Sequence, residues 1–124
     1  MNIPKYNDIM LPLLQHLSDK KDHSLTKIND YLVIHFKLTE EEQNMTNSKS
    51  NKTIFSNRCE WSRFYLKKAG LIESPKSKFT RITKDGLNFL ESHPKSITRN
   101  TLLEIPDFAK FMKKIYDKRY HNKK

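Results

Sequence analysis

The chain has 124 residues, of which 35% are hydrophobic and 31% are charged, and its formal net charge is +10. This length suits one globular domain with a real core, and its apolar runs are too short to span a bilayer. A single cysteine, Cys59, excludes an internal disulfide framework, and the five histidines lack metal-ligand spacing, so we expect no metal and no other cofactor. Residues 1–8 lack the layout of a signal peptide, which predicts a cytoplasmic protein with no membrane partner.

The positive charge is concentrated in two segments. Residues 46–81 contain nine basic and two acidic residues, a net charge of +7, and residues 108–124 contain seven basic residues and one acidic residue, a net charge of +6. The segments 1–45 and 82–107 are slightly acidic. This segregation is typical of proteins that bind a polyanion. A membrane surface would also attract the lysines, but a membrane-binding helix needs a free apolar face, and this chain needs that face for its core.

The first helix is predicted from apolar residues that recur at three- and four-residue spacing. Pro4 is placed to start this helix, and Pro12 predicts a kink or an irregular turn near residues 8–11. The apolar stripe consists of Tyr6, Ile9, Met10, Leu13, Leu14 and Leu17.

A short strand and two helices are predicted next. Residues 23–25 have the character of a strand, and residues 26–36 predict a second helix. Thr39 and Glu42 have the spacing of a capping box, which predicts a short third helix to about Met45. The three glutamates of that first turn therefore complement the helix dipole, and we expect no catalytic role for them.

Residues 53–82 predict a helix, a strand, a basic turn and a second strand. Ser56 is predicted to cap the start of the helix and Gly70 to follow its end. Residues 71–72 and 79–82 have the composition of two short strands. A basic helix followed directly by a hairpin with a basic tip is the working part of a winged helix-turn-helix, in which the helix enters the DNA major groove. We therefore predict a mainly α fold with a small β-hairpin, of the winged helix-turn-helix class.

The helical period assigns two faces to this central helix. A step of 100° per residue predicts a core face made of Arg58, Trp61, Ser62, Tyr65, Leu66 and Ala69, with Phe55 and Cys59 at its margin. The opposite, exposed arc carries Ser56, Asn57, Glu60, Arg63, Phe64 and Lys67. Arginine and asparagine match guanine and adenine edges, whereas lysine suits phosphates. An ordinary solvated helix face is the alternative interpretation of these charges.

A DNA-binding surface follows from these assignments. Phosphate contacts are predicted for Lys52, Lys67, Lys76, Lys78 and Arg81, and contacts to base edges for Ser56, Asn57 and Arg63. Arg58 is ambiguous, because it lies towards the core side although its long side chain can reach the DNA backbone. No catalytic residue and no metal ligand is predicted.

Two further helices are predicted after the hairpin. Thr83 is placed to cap a helix that ends before His93 and Pro94, and its core residues are Leu87, Phe89 and Leu90. Residues 98–103 predict a short turn. Pro106 opens a last helix with an apolar stripe of Phe108, Phe111, Met112 and Ile115, followed from Lys118 by a frayed basic end.

Several blocks of this sequence together resemble the N-terminal domain of Mrr-type restriction system proteins. These blocks are IPKYNDIMLPLLQHLSD, DHSL, LTEEE, SNRCEWSRFYLKKAGLIESPKSKFTRIT and DGLNFL, which extend the resemblance from Ile3 to about Ile115. The resemblance implies a winged-helix DNA-binding domain over residues 1–106. Residues 107–124 would form an amphipathic helix and basic tail, a possible linker to a nuclease domain that cuts modified, typically methylated, foreign DNA. Since no such nuclease domain is present in this sequence, the chain itself is not expected to be an enzyme.

Two other functions fit the same features. A winged-helix transcriptional repressor would form a homodimer through the stripe of the last helix. The alternative for this stripe is that it packs on the first helix of the same chain. A protein-interaction module would use the helix and hairpin to dock on a protein partner, and its positive charge would serve only solubility. The favoured prediction is that the partner is double-stranded DNA, together with a nuclease domain in the same or a separate chain.

Overall fold

The structure is a computed structural model that describes residues 2–47, 49, 51–92 and 95–122. These residues are mainly helical and include one small antiparallel sheet, which confirms the predicted balance of helix and strand. The elements are α1 (Tyr6–His16), β1 (His23–Ser24), α2 (Leu25–His35), α3 (Glu40–Asn44), α4 (Ile54–Lys68), β2 (Ile72–Glu73), β3 (Phe79–Ile82), α5 (Lys84–Ser92), α6 (Arg99–Leu102) and α7 (Pro106–Asn122). Within the described ranges, no helix combines the length and the apolar character needed to cross a membrane.

Helix α1 is continuous across Pro12, so the irregular turn predicted near residues 8–11 was wrong. Proline inside a helix costs about 3 kcal/mol, because it removes one backbone hydrogen bond and its ring clashes with the preceding turn. Here Pro12 is buried within the same stripe as Ile9 and Leu13, and this burial offsets the cost. Pro4 lies just before the helix, and Lys5 is the N-cap residue.

The sheet has the strand order β1-β3-β2, with β3 antiparallel to both neighbours. His23 pairs with Thr80, and Ile72 pairs with Ile82. The predicted first strand is thereby confirmed for its first two residues. Leu25 begins α2 instead, because the Ser24 hydroxyl caps that helix by accepting a hydrogen bond from the Lys27 N–H at 3.2 Å.

The capping box predicted at the start of α3 is confirmed. The Thr39 hydroxyl accepts a hydrogen bond from the Glu42 N–H at 3.1 Å, and the Glu42 carboxylate accepts one from the Thr39 N–H at 2.9 Å. The same carboxylate accepts a hydrogen bond from the Asn2 N–H at 3.1 Å. These hydrogen bonds lower the pKa of Glu42 below its usual value, since they favour the charged form. Glu42 therefore has a structural role that joins α3 to the start of the chain.

Helices α1 and α4 pack against each other at the centre of the core. Ser62 is fully buried in this contact, and its hydroxyl donates to the Tyr6 carbonyl at 2.8 Å. The buried apolar residues of the two helices are Ile9, Met10, Leu13, Leu14, Phe55, Cys59 and Leu66.

Helix α5 begins as predicted, because the Thr83 hydroxyl accepts a hydrogen bond from the Gly86 N–H at 3.0 Å. Phe89 is buried, whereas Leu87 and Leu90 pack against the core from a partly buried position. The predicted helix stop at residues 93–94 lies outside the described residues.

The predicted turn at residues 98–103 contains the short helix α6, which Thr98 caps. Helix α7 starts at Pro106 as predicted, but it continues to Asn122 instead of fraying from Lys118. Its Phe108 is buried and contacts Tyr65 at a ring-centroid distance of 6.0 Å. The first part of the apolar stripe of α7 therefore packs on α4.

Candidate nucleic-acid interface

Thr53, one turn before Ser56, is the residue that caps helix α4. The Thr53 hydroxyl accepts a hydrogen bond from the Ser56 N–H at 3.1 Å, so the predicted cap at Ser56 was wrong. Thr53 also pairs with Thr46 in an isolated β-bridge, which fixes the backbone just before the helix. Ser56 is consequently a partly buried residue of the first helical turn.

The buried face of α4 is rotated relative to the predicted one. It consists of Phe55, Cys59, Ser62, Leu66 and Ala69. Trp61 was predicted to face the core, but it is 46% exposed. Phe64 is 38% exposed, as predicted for the outer arc.

Cys59 is buried among the core residues. Burial raises the pKa of its thiol to about 12, because the thiolate loses its hydration in an apolar environment. The thiol is therefore protonated at neutral pH and serves the packing of the core.

Arg58 is directed away from the outer face of α4. Its guanidinium donates to the carbonyl of Ile3 at 2.9 Å and to the carbonyl of Pro4 at 3.3 Å. Both contacts join α4 to the segment that precedes α1. In this structure Arg58 stabilises the fold and does not reach the surface predicted to bind DNA.

Arg63 lies between α4 and α2. Its guanidinium donates to the Asn29 side-chain oxygen at 3.3 Å. Burial lowers the pKa of Arg63 from its usual value, since the guanidinium is partly removed from water. Arginine nevertheless stays charged at all physiological pH values, so the site holds a partly desolvated positive charge.

A groove separates the outer side of α4 from the hairpin formed by β2 and β3. It encloses about 230 Å³ and is lined by Leu25, Glu60, Arg63, Phe64, Lys67, Ile72, Glu73, Ser74 and Thr80. Helix and hairpin thus form the two walls of one groove, and its basic lining residues, Arg63 and Lys67, both belong to α4.

The polar residues on the outer side of α4 differ in how they are paired. Asn57 and Lys67 are exposed. Lys52, which precedes the helix, makes an ion pair with Glu60 at 2.5 Å. The pair cancels one positive and one negative charge, so Lys52 would have to leave Glu60 in order to contact a phosphate.

The tip of the hairpin carries two exposed lysines. The Lys76 ammonium lies over the Phe79 ring, 4.2 Å from its centroid. Lys78 has a positive φ of 64°, and its carbonyl accepts a hydrogen bond from the Leu25 N–H at 3.0 Å. Residues other than glycine rarely adopt this left-handed conformation without a cost in backbone strain. Lys78 therefore occupies a position at which glycine would be less strained.

Arg81 is predicted to contact phosphate but has intramolecular partners here. Its guanidinium contacts the Glu73 carboxylate at 2.7 Å and the Asp22 carboxylate at 3.9 Å. All three side chains are at least two-fifths exposed, so the pairs are screened by water and contribute little to stability.

An aromatic cluster beside α4 was not predicted. The rings of Phe64 and Phe111 are 5.7 Å apart, and those of Trp61 and Phe64 are 5.5 Å apart. The Lys68 ammonium lies 5.5 Å from the Phe64 ring centroid and 5.0 Å from that of Phe111. The apolar stripe of the last helix was predicted, but the partner weighed for it within the chain was the first helix, whereas its Phe108 and Phe111 contact α4.

The described residues offer no arrangement of three or more histidine, cysteine, aspartate or glutamate side chains that could hold a metal ion. The surface formed by the outer side of α4 and the hairpin is polar, basic and partly aromatic. Its physical character suits binding to an extended anionic molecule.

Comparison with known protein families identifies a match over most of the chain. The model of the Mrr N-terminal domain family matches residues 6–92, which begin with α1 and end with α5. The match is shorter than the resemblance predicted from the sequence, which extended to about Ile115. Comparisons with curated proteins and with solved structures find no match. The chain belongs to the Mrr N-terminal domain family.

Proposed function

We propose that this chain binds double-stranded DNA as the winged-helix target-recognition domain of an Mrr-type restriction system that acts in the cytoplasm on modified or methylated foreign DNA. Family membership associates the chain with Mrr restriction systems. The observation that carries the DNA-binding proposal is that Lys67 is exposed beside the groove between α4 and the hairpin, while Lys76 and Lys78 are exposed in the turn between β2 and β3.

The order of the elements supports a winged helix. A helix, a short strand and further helices lead to α4, which is followed directly by the hairpin, and the sheet has the order β1-β3-β2. In this interpretation α4 is the recognition helix and the β2–β3 turn is the wing. A recognition helix of this type lies in the major groove, while the wing contacts the flanking backbone.

Individual contacts follow from exposure and charge. Asn57 is exposed on α4 and can read an adenine edge, with Ser56 beside it. Arg63 would exchange its hydrogen bond with Asn29 for a guanine edge, a strong contact because the guanidinium is already partly desolvated. Phosphate contacts would come from Lys52, Lys67, Lys76, Lys78 and Arg81.

Besides Arg63, two further arginines of the predicted site, Arg58 and Arg81, would need to change partners to contact DNA. Arg81 would leave Glu73, which is inexpensive because the pair is exposed. Arg58 would leave two backbone carbonyls, and each would then lack the hydrogen bond that it accepts here. We therefore assign Arg81 to the proposed surface and give Arg58 a supporting role.

The proposal is tested by titrating the chain with a fluorescent duplex over a range of salt concentrations. Five phosphate contacts predict that log affinity falls with log salt with a slope of about −4 to −5. Trp61 is the only tryptophan, and its exposed ring on α4 is expected to change its fluorescence when DNA covers the helix. Absence of binding at low salt would contradict the proposal. Binding without any change in Trp61 fluorescence would place the DNA elsewhere on the chain.

Replacing Lys78 by glycine is expected to weaken binding to all duplexes alike without destabilising the fold. The substitution removes one phosphate contact, so the salt slope should fall by about 1. It also relieves the positive φ of 64°, so the melting temperature should not fall. Anisotropy titrations with two unrelated duplexes and a thermal melt measure both effects.

Lys37→Gly is the matched control for this experiment. Lys37 is exposed and has a similar φ of 53°, but it follows the end of α2. We expect its replacement to leave DNA affinity unchanged. If both variants lose the same affinity, the hairpin tip has no special role.

A repressor-type homodimer is a second candidate, favoured by an apolar groove that Met112 and Ile115, the last residues of the apolar stripe, line. Leu103 is 42% exposed and Tyr116 is 69% exposed, and both line a groove between α6 and α7. A stable dimer with nanomolar affinity for a palindromic site would support this candidate. A monomer would instead favour the restriction-system function, in which a nuclease domain in the same or another chain performs the cleavage.

A further inference from the structure

The groove between α6 and α7 exposes apolar side chains to water. It encloses about 560 Å³, and four of its lining residues are Leu103, Met112, Ile115 and Tyr116. Leu103 is 42% exposed and Tyr116 is 69% exposed. A groove that exposes several large apolar side chains is typical of a surface that a partner covers.

The α6 side of this groove is held in place by hydrogen bonds within the chain. The Thr98 hydroxyl caps α6 by accepting a hydrogen bond from the Thr101 N–H at 3.2 Å. The Arg99 N–H donates to the Asn7 side-chain oxygen at 2.9 Å, which joins α6 to α1. Leu102 is fully buried in the core. The groove is therefore formed in the folded chain, and binding would require little ordering of the backbone.

The other lining residues give the groove a positive charge. They are Arg99, Asn100 and Lys113, so among the described residues that line the groove two are cationic and none is acidic. Both cationic residues are exposed. Glu104 follows Leu103 in the chain but does not line the groove. Apolar side chains bordered by cations are complementary to a partner that carries carboxylates beside an apolar face.

Two other occupants fit these features less well. A second copy of the chain would bring Arg99 and Lys113 of both copies together, because an isologous interface uses the same patch twice. Like charges that face each other weaken such an interface. A DNA backbone would pair with the cations but would leave Leu103 and Tyr116 uncovered, since phosphates offer no apolar surface.

We propose that the groove between α6 and α7 binds an acidic amphipathic helix of another protein. Such a helix lays apolar side chains spaced i, i+3, i+4 and i+7 into a groove, and its flanking carboxylates would pair with Arg99 and Lys113. The groove follows residue 92, where the family match ends, and shares no lining residue with the groove between α4 and the hairpin. The inference therefore goes beyond the proposed function and does not depend on DNA binding.

The inference is tested with a fluorescent synthetic peptide of about 15 residues, in which leucines follow this spacing and glutamates take most other positions. Anisotropy is measured while the full chain is added. We expect saturable binding that is absent for a scrambled peptide of the same composition and for a peptide with lysine in place of each glutamate. Equal binding of the scrambled peptide would overturn the inference.

Competition with DNA identifies the surface to which the peptide binds. An unlabelled DNA duplex is expected not to displace the peptide, because the two grooves share no lining residue. Displacement would place the peptide on the proposed DNA surface and would contradict the inference. Absence of any peptide binding would overturn the inference and leave the proposed DNA binding intact.

Lys113→Glu and Lys114→Glu form a matched pair of variants. Both residues are exposed on α7 and both substitutions change the net charge equally, but only Lys113 lines the groove. We expect Lys113→Glu to weaken peptide binding about tenfold and Lys114→Glu to weaken it about twofold at most. Equal losses would show that the peptide responds only to the total charge, which rules out docking in the groove.

Tyr116→Ala tests the apolar part of the groove. Because this side chain is 69% exposed, its removal should leave the melting temperature unchanged, whereas peptide affinity is expected to fall about tenfold. Unchanged affinity would contradict the inference. Sedimentation of the unmodified chain tests the other occupant. A dimer that Tyr116→Ala dissociates would show that a second copy fills the groove, and the acidic partner would then be wrong.

Discussion

Replacing Gly86 by alanine is expected to lower the free energy of unfolding by about 3 kcal/mol. A Cβ atom at this position would lie 2.2 Å from the Leu71 carbonyl oxygen and 2.7 Å from the Ile82 side chain. The first of these atoms belongs to the backbone, and the same carbonyl accepts a hydrogen bond from the Thr83 N–H at 3.0 Å. Because α5 and the sheet must move apart, the clash outweighs the gain of about 1 kcal/mol that alanine normally brings inside a helix. Chemical denaturation measures the difference.

The other glycine of the chain, Gly70, provides the control. It has a φ of +78°, and no atom lies within 4 Å of a Cβ atom built there. Gly70→Ala is therefore expected to cost only the strain of the left-handed conformation, about 1 to 2 kcal/mol. If Gly86→Ala is as stable as the unmodified chain, the close approach of α5 to the Leu71 carbonyl and to β3 is wrong.

Replacing Arg63 by alanine is expected to weaken binding to a preferred DNA site by about 1–3 kcal/mol. The physical reason is that a guanidinium already shielded from water loses less hydration when it contacts a guanine edge. The preferred site is first selected from a random duplex pool, and affinity is then compared between this site and random DNA. Equal losses on both would contradict the base-reading role.

Arg63→Lys is the matched variant for this prediction. It keeps the positive charge but loses the planar pair of donors that matches two guanine acceptors. We expect this variant to bind random DNA almost normally and to lose most of the discrimination. If Arg63→Lys still discriminates fully between the preferred site and random DNA, Arg63 contacts a phosphate and not a base edge.

Local sequence signals predicted those elements whose ends are determined by neighbouring residues. The capping box of Thr39 and Glu42, the cap at Thr83 and the start of α7 at Pro106 were all predicted from the sequence and are confirmed. Each depends on hydrogen bonds or backbone angles within about four residues, so no knowledge of distant contacts is required. Gly70 also has the positive φ expected after the end of the central helix.

Features that depend on distant partners were not predictable in the same way. The helical period of α4 predicted one buried and one exposed face, but it did not predict that Trp61 is exposed. The elements that pack on α4 determine which residues are covered, and these elements are distant in the sequence. Ser56 was predicted as the cap of α4, and Thr53 was not considered, because the bridge from Thr53 to Thr46 forms only in the folded chain. The tight contact at Gly86 depends on the carbonyl of Leu71, which lies in the segment between α4 and β2.

The sequence predicted several exposed residues of the candidate site, but it did not predict the intramolecular partners of its arginines. Lys67 and Asn57 are exposed on α4 as expected. The intramolecular partners of Arg58 and Arg81 could not be inferred, because they depend on backbone carbonyls and carboxylates brought close only by folding. The roles of all these residues in binding remain predictions.

The hydrogen bond from the Leu25 N–H to the Lys78 carbonyl joins the base of the hairpin tip to the first turn of α2. Together with the pairing of β1 to β3, it holds the hairpin at a fixed distance from the helices before any ligand arrives. When a ligand binds across helix and hairpin, the protein backbone therefore loses little conformational entropy. Only the long lysine side chains must be immobilised. This preorganisation predicts slow hydrogen exchange at the Leu25 amide in the free chain.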